Sequence, residues 1–274
     1  MFSPQDTPEQ INESAAPGAA AMARSPLILT GESTAAKMVT LLKANGVGRI
    51  WAHKTRIQTY EGERWAFDSG VYSYYTRGTP VRWDHYRRRL DHAVGQQSLI
   101  GSPYLNAVPD IVGGGAESLE LSMKWLPQLP DWPHYLVVQD GMNLGVVKSV
   151  LGSFAGIFLG GTDRFKATAP IWSTIAHAAG KRFHYGRAGT LKAIRHARFS
   201  RADSLDSSFP LWSYERFELW LDWCHGTDPQ RMMLVDELRR FPALRGCSLR
   251  SSEERSLKKN CRAFGLVVAE LVAA

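Results

Sequence analysis

The sequence predicts one (β/α)8 barrel, the TIM-like architecture of parallel strands alternating with helices. Three observations predict it. Short, continuously apolar runs alternate with stretches of helical length from Leu27 onward, as parallel strands joined by helical crossovers and covered on both faces do. A polar residue or a glycine pair closes run after run, at Asp68, Asp110, Gln139, Gly160 with Gly161, and Asp206. The chain has 274 residues, a length that suits a single barrel domain. The alternation alone also fits an open doubly wound sheet. The closing polar residues favour the barrel, because a barrel gathers every strand end at one mouth, where such folds place their chemistry.

Residues 1–25, rich in Ala, Pro, Ser, Gln and Glu without a sustained period, are expected to form a flexible tail, and residues 26–274 the barrel. Helix is expected over residues 34–44 and strand over 48–51. A short strand over 64–67 ends at Asp68, and a polar, Arg-rich helix follows over 84–96. A weaker strand at 105–108 leads to Asp110 and a helix at 117–126. The β-branched run 135–138 ends at Gln139 and Asp140, before a helix at 144–151. Strand 156–159 ends at the glycine pair, helix 171–179 follows, then strand 182–185 and helix 190–197. Ser204 and Leu205 close a last short strand before Asp206. Helices are expected over 214–224, 230–240 and 253–272.

Composition narrows the function classes. Hydrophobic residues make up 44 %, as in an ordinary globular chain. No apolar run reaches the roughly 18 residues of a membrane span. Cys224, Cys247 and Cys261 form no CxxC pair, which argues against a disulfide scaffold. With no signal-peptide pattern at the start, a cytoplasmic, reducing setting is expected. The net charge of +7 favours polyanionic partners. Arg187, Arg195, His196, Arg198 and Arg201 flank the run before Asp206 and are candidate phosphate contacts. Lys258, Lys259 and Arg262 form a second basic group, and Arg87–Arg89 reads as helix surface.

The strand-end residues suggest a chemistry. Two carboxylates of different function are the minimum for substitution at a glycosidic carbon: one attacks or stabilises the carbon, the other moves a proton on the leaving group. An Asp accepts from the N1–H and exocyclic amine of a guanine-like base, a Gln amide donates to O6, and an aromatic face stacks on the ring. A Gly-Gly turn opens its backbone to close approach.

Several motifs carry a family resemblance. Phe67-Asp68-Ser69-Gly70-Val71-Tyr72 resembles the DSGGF/Y motif of the tRNA-guanine transglycosylases. Val137-Val138-Gln139-Asp140-Gly141-Met142 is similar to their VQGG segment, and Phe158-Leu159-Gly160-Gly161 to their IGGLAVGE turn. Gly186-Arg187-Ala188-Gly189-Thr190 resembles the MGVGTP loop, and Ala202-Asp203-Ser204-Leu205-Asp206 the nucleophile segment GIDMFD. The five motifs occur in the family's order between residues 67 and 206. The resemblance implies Asp206 as nucleophile and Asp68 as general acid/base. It implies Tyr72 as the stacking ring, Asp110 and Gln139 as readers of the base, and the Gly160/Gly161 backbone as the rest of the pocket. Asp110 stands in Val108-Pro109-Asp110, where the family has DECT.

Departures from the family matter equally. The three cysteines cannot supply its zinc site, so no metal and no other cofactor is expected. Ser207-Ser208-Phe209-Pro210 stands where the family has TRxxR, its tRNA contact. The pattern resembles the DNA-directed branch of phages and bacteria, which inserts a 7-deazaguanine such as preQ0 into DNA. The implied partners are therefore DNA and such a base, with tRNA as the alternative polymer. A glycosylase or nucleoside hydrolase using water, and a non-enzymatic nucleic-acid-binding module, stay open. Asp203 is expected to be structural. Asp140 competes with Gln139 for the pocket, and His184 is set aside as a satisfied core histidine. Trp212, Trp220 and Trp223, at helical spacing, point to packing.

Overall fold

A computed structural model describes residues 25–225. Residues 1–24 of the tail expected over 1–25, the helices expected over 230–240 and 253–272, Cys247, Cys261 and the Lys258/Lys259/Arg262 group lie outside the described residues.

Eight parallel strands close into a barrel in sequence order: β1 (Leu27–Gly31), β2 (Gly48–Trp51), β3 (Ala66–Phe67), β4 (Leu105–Ala107), β5 (His134–Val138), β6 (Gly156–Leu159), β7 (Arg182–Tyr185) and β8 (Ser204–Ser207). The ring closes where β1 pairs with β8, Leu29 opposite Asp206. The expected barrel is thus present. Its first strand, Leu27-Ile28-Leu29-Thr30-Gly31, precedes the first strand expected from the sequence, at 48–51.

The helices are α1 (Ala36–Ala44), α2 (Val71–Thr76), α3 (Trp83–Gly95), α4 (Gln97–Ile100), α5 (Gly115–Trp125), α6 (Leu144–Val150), α7 (Asp163–Lys166), α8 (Ala169–Ala178), α9 (Leu191–Phe199) and α10 (Tyr214–His225). Boundaries fall within a few residues of expectation. Short α2, α4 and α7 sit in stretches too brief to show a helical period. Thr162 and Thr190 begin α7 and α9 with side chains that accept from Phe165 N and Ala193 N.

Alternation along the strands builds two layers. Leu29, Ile50, Ala66, Leu105 and Tyr135 fill the interior. Room for Tyr135 comes from Gly156, its register partner, where a Cβ would lie 2.5 Å from the ring. Outward residues pack under the helices. On one side Trp51, Trp65, Phe67, Tyr86, Leu90 and Trp132 form a cluster, each such side chain stabilising by roughly 1.5–3 kcal/mol. Trp220 and Trp223 of α10 are buried as expected, whereas Trp212, in the turn before that helix, is 66 % exposed.

Arg49 of β2 is buried in the outer layer with its fork on both oxygens of Glu63, at 2.7 and 2.5 Å. Its remaining donors reach Ser33 O and Gln58 O. The pair ties the β2–β3 loop to the barrel wall. Among the described residues no helix is long and apolar enough to cross a membrane.

Candidate active site

Parallel strands send their C-terminal ends to one face, so Asp68, Asp110, Gln139 and Asp206 share the barrel mouth. Ala66 faces the interior and Phe67 the outer layer, so Asp68 turns inward. Its N–H donates to Trp51 O at 3.0 Å, which continues the ladder. Gly70 then takes φ 75°, and a Cβ there would lie 2.4 Å from Ala52 O. Only glycine serves this left-handed turn, and its N–H returns to the Asp68 carboxyl.

Arg89 of α3 lies beneath this turn, 1 % exposed. Its guanidinium donates to Trp51 O at 2.9 Å and Asp68 O at 3.2 Å, and stands 4.8 Å over the Phe67 ring. This corrects the reading of Arg89 as helix surface, whereas Arg88 is exposed and Arg87 partly exposed, as expected. The signal was present: Arg89 falls three residues after Tyr86 and four before Ala93, on the apolar stripe of α3.

Asp110 follows β4 and is 8 % exposed. Ser69 Oγ lies 3.4 Å from both Asp68 Oδ1 and Asp110 Oδ1 and links the two carboxyls. Burial, then the charge of Asp206, push Asp68 above the ordinary carboxylate range, against the pull of Arg89. Burial, then the charge of Asp68, push Asp110 up to about 7. Asp110 is therefore a group that shares a proton near neutrality, and Asp68 is shifted in the same direction.

Gln139 comes from β5. Its Nε2 donates to Ile111 O at 2.6 Å, to Ser118 Oγ at 2.8 Å and to Asp110 Oδ2 at 3.2 Å, and its Oε1 accepts from Gly113 N. The amide is engaged at both ends, so it braces Asp110 and the loop after β4 instead of facing the mouth as a free donor. Asp140 turns aside and accepts from Thr162 N and Oγ1, both at 2.7 Å. Gly160 donates its N–H to Val138 O within the barrel wall, and the Gly161 carbonyl accepts from Arg187. The backbone donor expected at Gly160 is thus part of the sheet.

Asp206 is the third residue of β8, 9 % exposed, inside the strand and not after it as expected. Oδ1 accepts from His184 Nε2 at 3.0 Å and from the Arg187 N–H at 3.1 Å. His184, set aside as a core histidine, is fully buried and belongs to the site. The signal lay in the period of two: His184 pairs in register with Ser204, two residues before Asp206 on the same inward face.

Arg187 sits in the loop after β7 at φ 56°. Its guanidinium stands 4.3 Å over the ring of Tyr72, which is 44 % exposed on α2. Strands β3 and β7 are four places apart in a ring of eight. The contact therefore spans the mouth from side to side. Lys166, buried behind the loop, donates to Gly186 O and stands 5.2 Å from the Tyr185 ring. Burial and the Arg187 charge lower its amine to about 7.

The other candidate arginines lie elsewhere. Helix α9 runs antiparallel to the strands, so its end and the turn at Arg201 lie at the opposite end of the barrel from Asp206. Arg198 donates to Cys224 O at 2.9 Å. Arg195 is half-buried along the helix. Nearness to Asp206 in sequence placed these three beside the site; the crossover reverses their position. Arg187 alone of the four stands at the mouth. Asp203 accepts from Phe183 N at 2.7 Å and pairs with His177 at 2.9 Å, holding the start of β8. Among the described residues no cluster of His, Cys, Asp or Glu is placed to hold a metal.

No family model and no curated protein matches the chain. Among solved structures it is similar to an HpcH/HpaI aldolase from Desulfitobacterium hafniense DCB-2, at 12 % identity and a TM-score of 0.44, over 75 % of this chain and 96 % of that one. A likeness at this level carries no argument about chemistry.

Proposed function

We propose that this chain is an enzyme, a pentosyltransferase that exchanges a guanine base in nucleic acid for a 7-deazaguanine such as preQ0. The observation that carries the proposal is the meeting of Asp68 and Asp206 at the mouth in opposed environments. Asp68 is pressed towards its protonated form, while Asp206 receives two hydrogen bonds on one oxygen. One group suits proton transfer and the other attack on a sugar carbon.

In the first half, an Asp206 oxygen forms a bond to C1′ as the C1′–N9 bond breaks. The electron pair goes to N9, which takes the Asp68 proton, and guanine leaves. In the second half, the entering base gives its N9 proton to the Asp68 carboxylate. N9 attacks C1′, the Asp206–C1′ bond breaks and the carboxylate returns. The sugar is inverted twice and keeps its configuration. The target base must first leave its stack, at roughly a few kcal/mol. Asp110, braced by Gln139, faces the edge of the base, and Tyr72 supplies the stacking ring. DNA is the proposed polymer because the TRxxR segment is missing.

The test offers labelled guanine or preQ0 with DNA and tRNA side by side. Label is expected in DNA, with a gel-stable protein–DNA adduct that Asp206→Asn abolishes. Label only in tRNA moves the polymer. Abasic sites without label point to hydrolysis, and no product from folded protein removes the exchange activity.

A further inference from the structure

Beneath the nucleophile lies a chain of contacts that base exchange as such does not call for. His184 and Ser204 are register partners, both fully buried. The imidazole is held at both nitrogens, Nδ1 2.8 Å from Ser204 Oγ and Nε2 3.0 Å from Asp206 Oδ1. Its ring packs on Phe158 of the neighbouring β6, with centroids 4.3 Å apart. The backbone N–H of Arg187 adds a second donor to the same Oδ1 at 3.1 Å. Among the described residues no hydrogen bond reaches Oδ2.

We propose that Ser204 and His184 form a positioning relay that divides the labour between the two oxygens of Asp206, with Oδ1 as the anchor and Oδ2 as the atom that attacks C1′. The proposal rests on the exchange activity. Its physical basis is the donor inventory. A serine hydroxyl has one hydrogen, and given to Nδ1 it leaves the imidazole hydrogen on Nε2, which donates to Oδ1. Two donors occupy both lone-pair directions of Oδ1. Oδ2 keeps its lone pairs, and the carboxylate is stopped from rotating.

The same donors act in the second half. Once C1′ is bonded to Oδ2, Oδ1 is the ester carbonyl. Charge returns to it as the Oδ2–C1′ bond breaks, and the two N–H groups are already aimed at that oxygen. His184 is thus a positioning residue that makes Asp206 a better leaving group as well as a fixed nucleophile.

Two measurements test the relay. Histidine-selective long-range 15N–1H correlation spectra of the full chain are expected to place a hydrogen on His184 Nε2, and Ser204→Ala is expected to change the Nδ1 signal. A bare Nε2 with hydrogen on Nδ1 would overturn the proposal, because Asp206 would then have to donate. In exchange assays, His184→Leu is expected to lose about 10²-fold in kcat with the base KM unchanged. His184→Gln, whose amide keeps a donor, and Ser204→Ala are expected to lose less. Equal losses in all three, or a loss confined to KM, would also overturn it. If the wild-type chain exchanges no base, the exchange activity fails, and the spectra still decide whether the relay exists.

Discussion

Asp110→Asn is expected to stabilise the protein, and to do so increasingly as pH rises from 4 to 8. Asp110 is pushed from the ordinary 3.8 to about 7, first by burial and then by the Asp68 charge. A carboxyl with a raised folded-state pKa stays protonated in the fold while the unfolded chain has ionised. Between those two values the unfolded state binds fewer protons, so stability falls as pH rises and levels off once the folded-state carboxyl has also ionised. About three pH units at about 1.4 kcal/mol each give ~4 kcal/mol of lost stability at neutral pH. Asparagine has nearly the same shape and still accepts from Gln139. The assay is urea unfolding of both chains at pH 4, 6 and 8. The stability difference between them is expected to grow by about 4 kcal/mol across that range. A difference that stays flat would refute the claim that a buried carboxyl is held in the mouth against its electrostatic preference.

Further outcomes follow from other contacts. Arg89→Met takes the buried guanidinium from the Asp68 carbonyl and leaves Trp51 O with the Asp68 N–H alone; a loss of about 1–3 kcal/mol in chemical denaturation is expected, and wild-type stability would show that the guanidinium is not needed there. Gly70→Ala is expected to lower the melting temperature, since the left-handed backbone alone costs about 1–2 kcal/mol before the added Cβ meets Ala52 O at 2.4 Å; an unchanged melting curve would contradict the close approach. Glu63→Gln leaves Arg49 buried without its counter-charge, and a loss of about 3–5 kcal/mol is expected by calorimetry. If DNA is the polymer, Arg187→Ala is expected to flatten the salt dependence of binding by about one unit of slope, whereas Arg198→Ala and Arg201→Ala leave it unchanged; the reverse ranking would place the polymer on the opposite end of the barrel.

The barrel was legible because its strands are buried on both faces and therefore read as unbroken apolar runs, as Tyr135 to Val138 does. Strand β1 was harder to see, since a lone five-residue run beside a polar stretch has no preceding helix to mark it. The strand-end residues were legible for the same topological reason: parallel strands bring every C-terminal end together. What stayed hidden was direction. Asp206 was placed after its strand, and once it lies within β8 the inward face includes Ser204 and, across the register, His184. Gln139 was recognised as part of the mouth, but not that its amide would turn to Ile111, Gly113 and Ser118. Hydrogen-bond partners on another strand's loop leave no mark in local spacing. Arg195, Arg198 and Arg201 misled because a helix carries its C-terminal residues back to the barrel's far end.

The contact between Arg187 and Tyr72 bears on how the mouth opens. Among the described residues, what reaches across it is the exposed Arg187 side chain, not a backbone segment that must fold back. Exposed side chains change rotamer in picoseconds to nanoseconds, whereas loop lids move in microseconds to milliseconds. Clearing that contact therefore asks for a side-chain rearrangement, release of Arg187 from Tyr72 and from the Gly161 carbonyl, and not for the refolding of a loop.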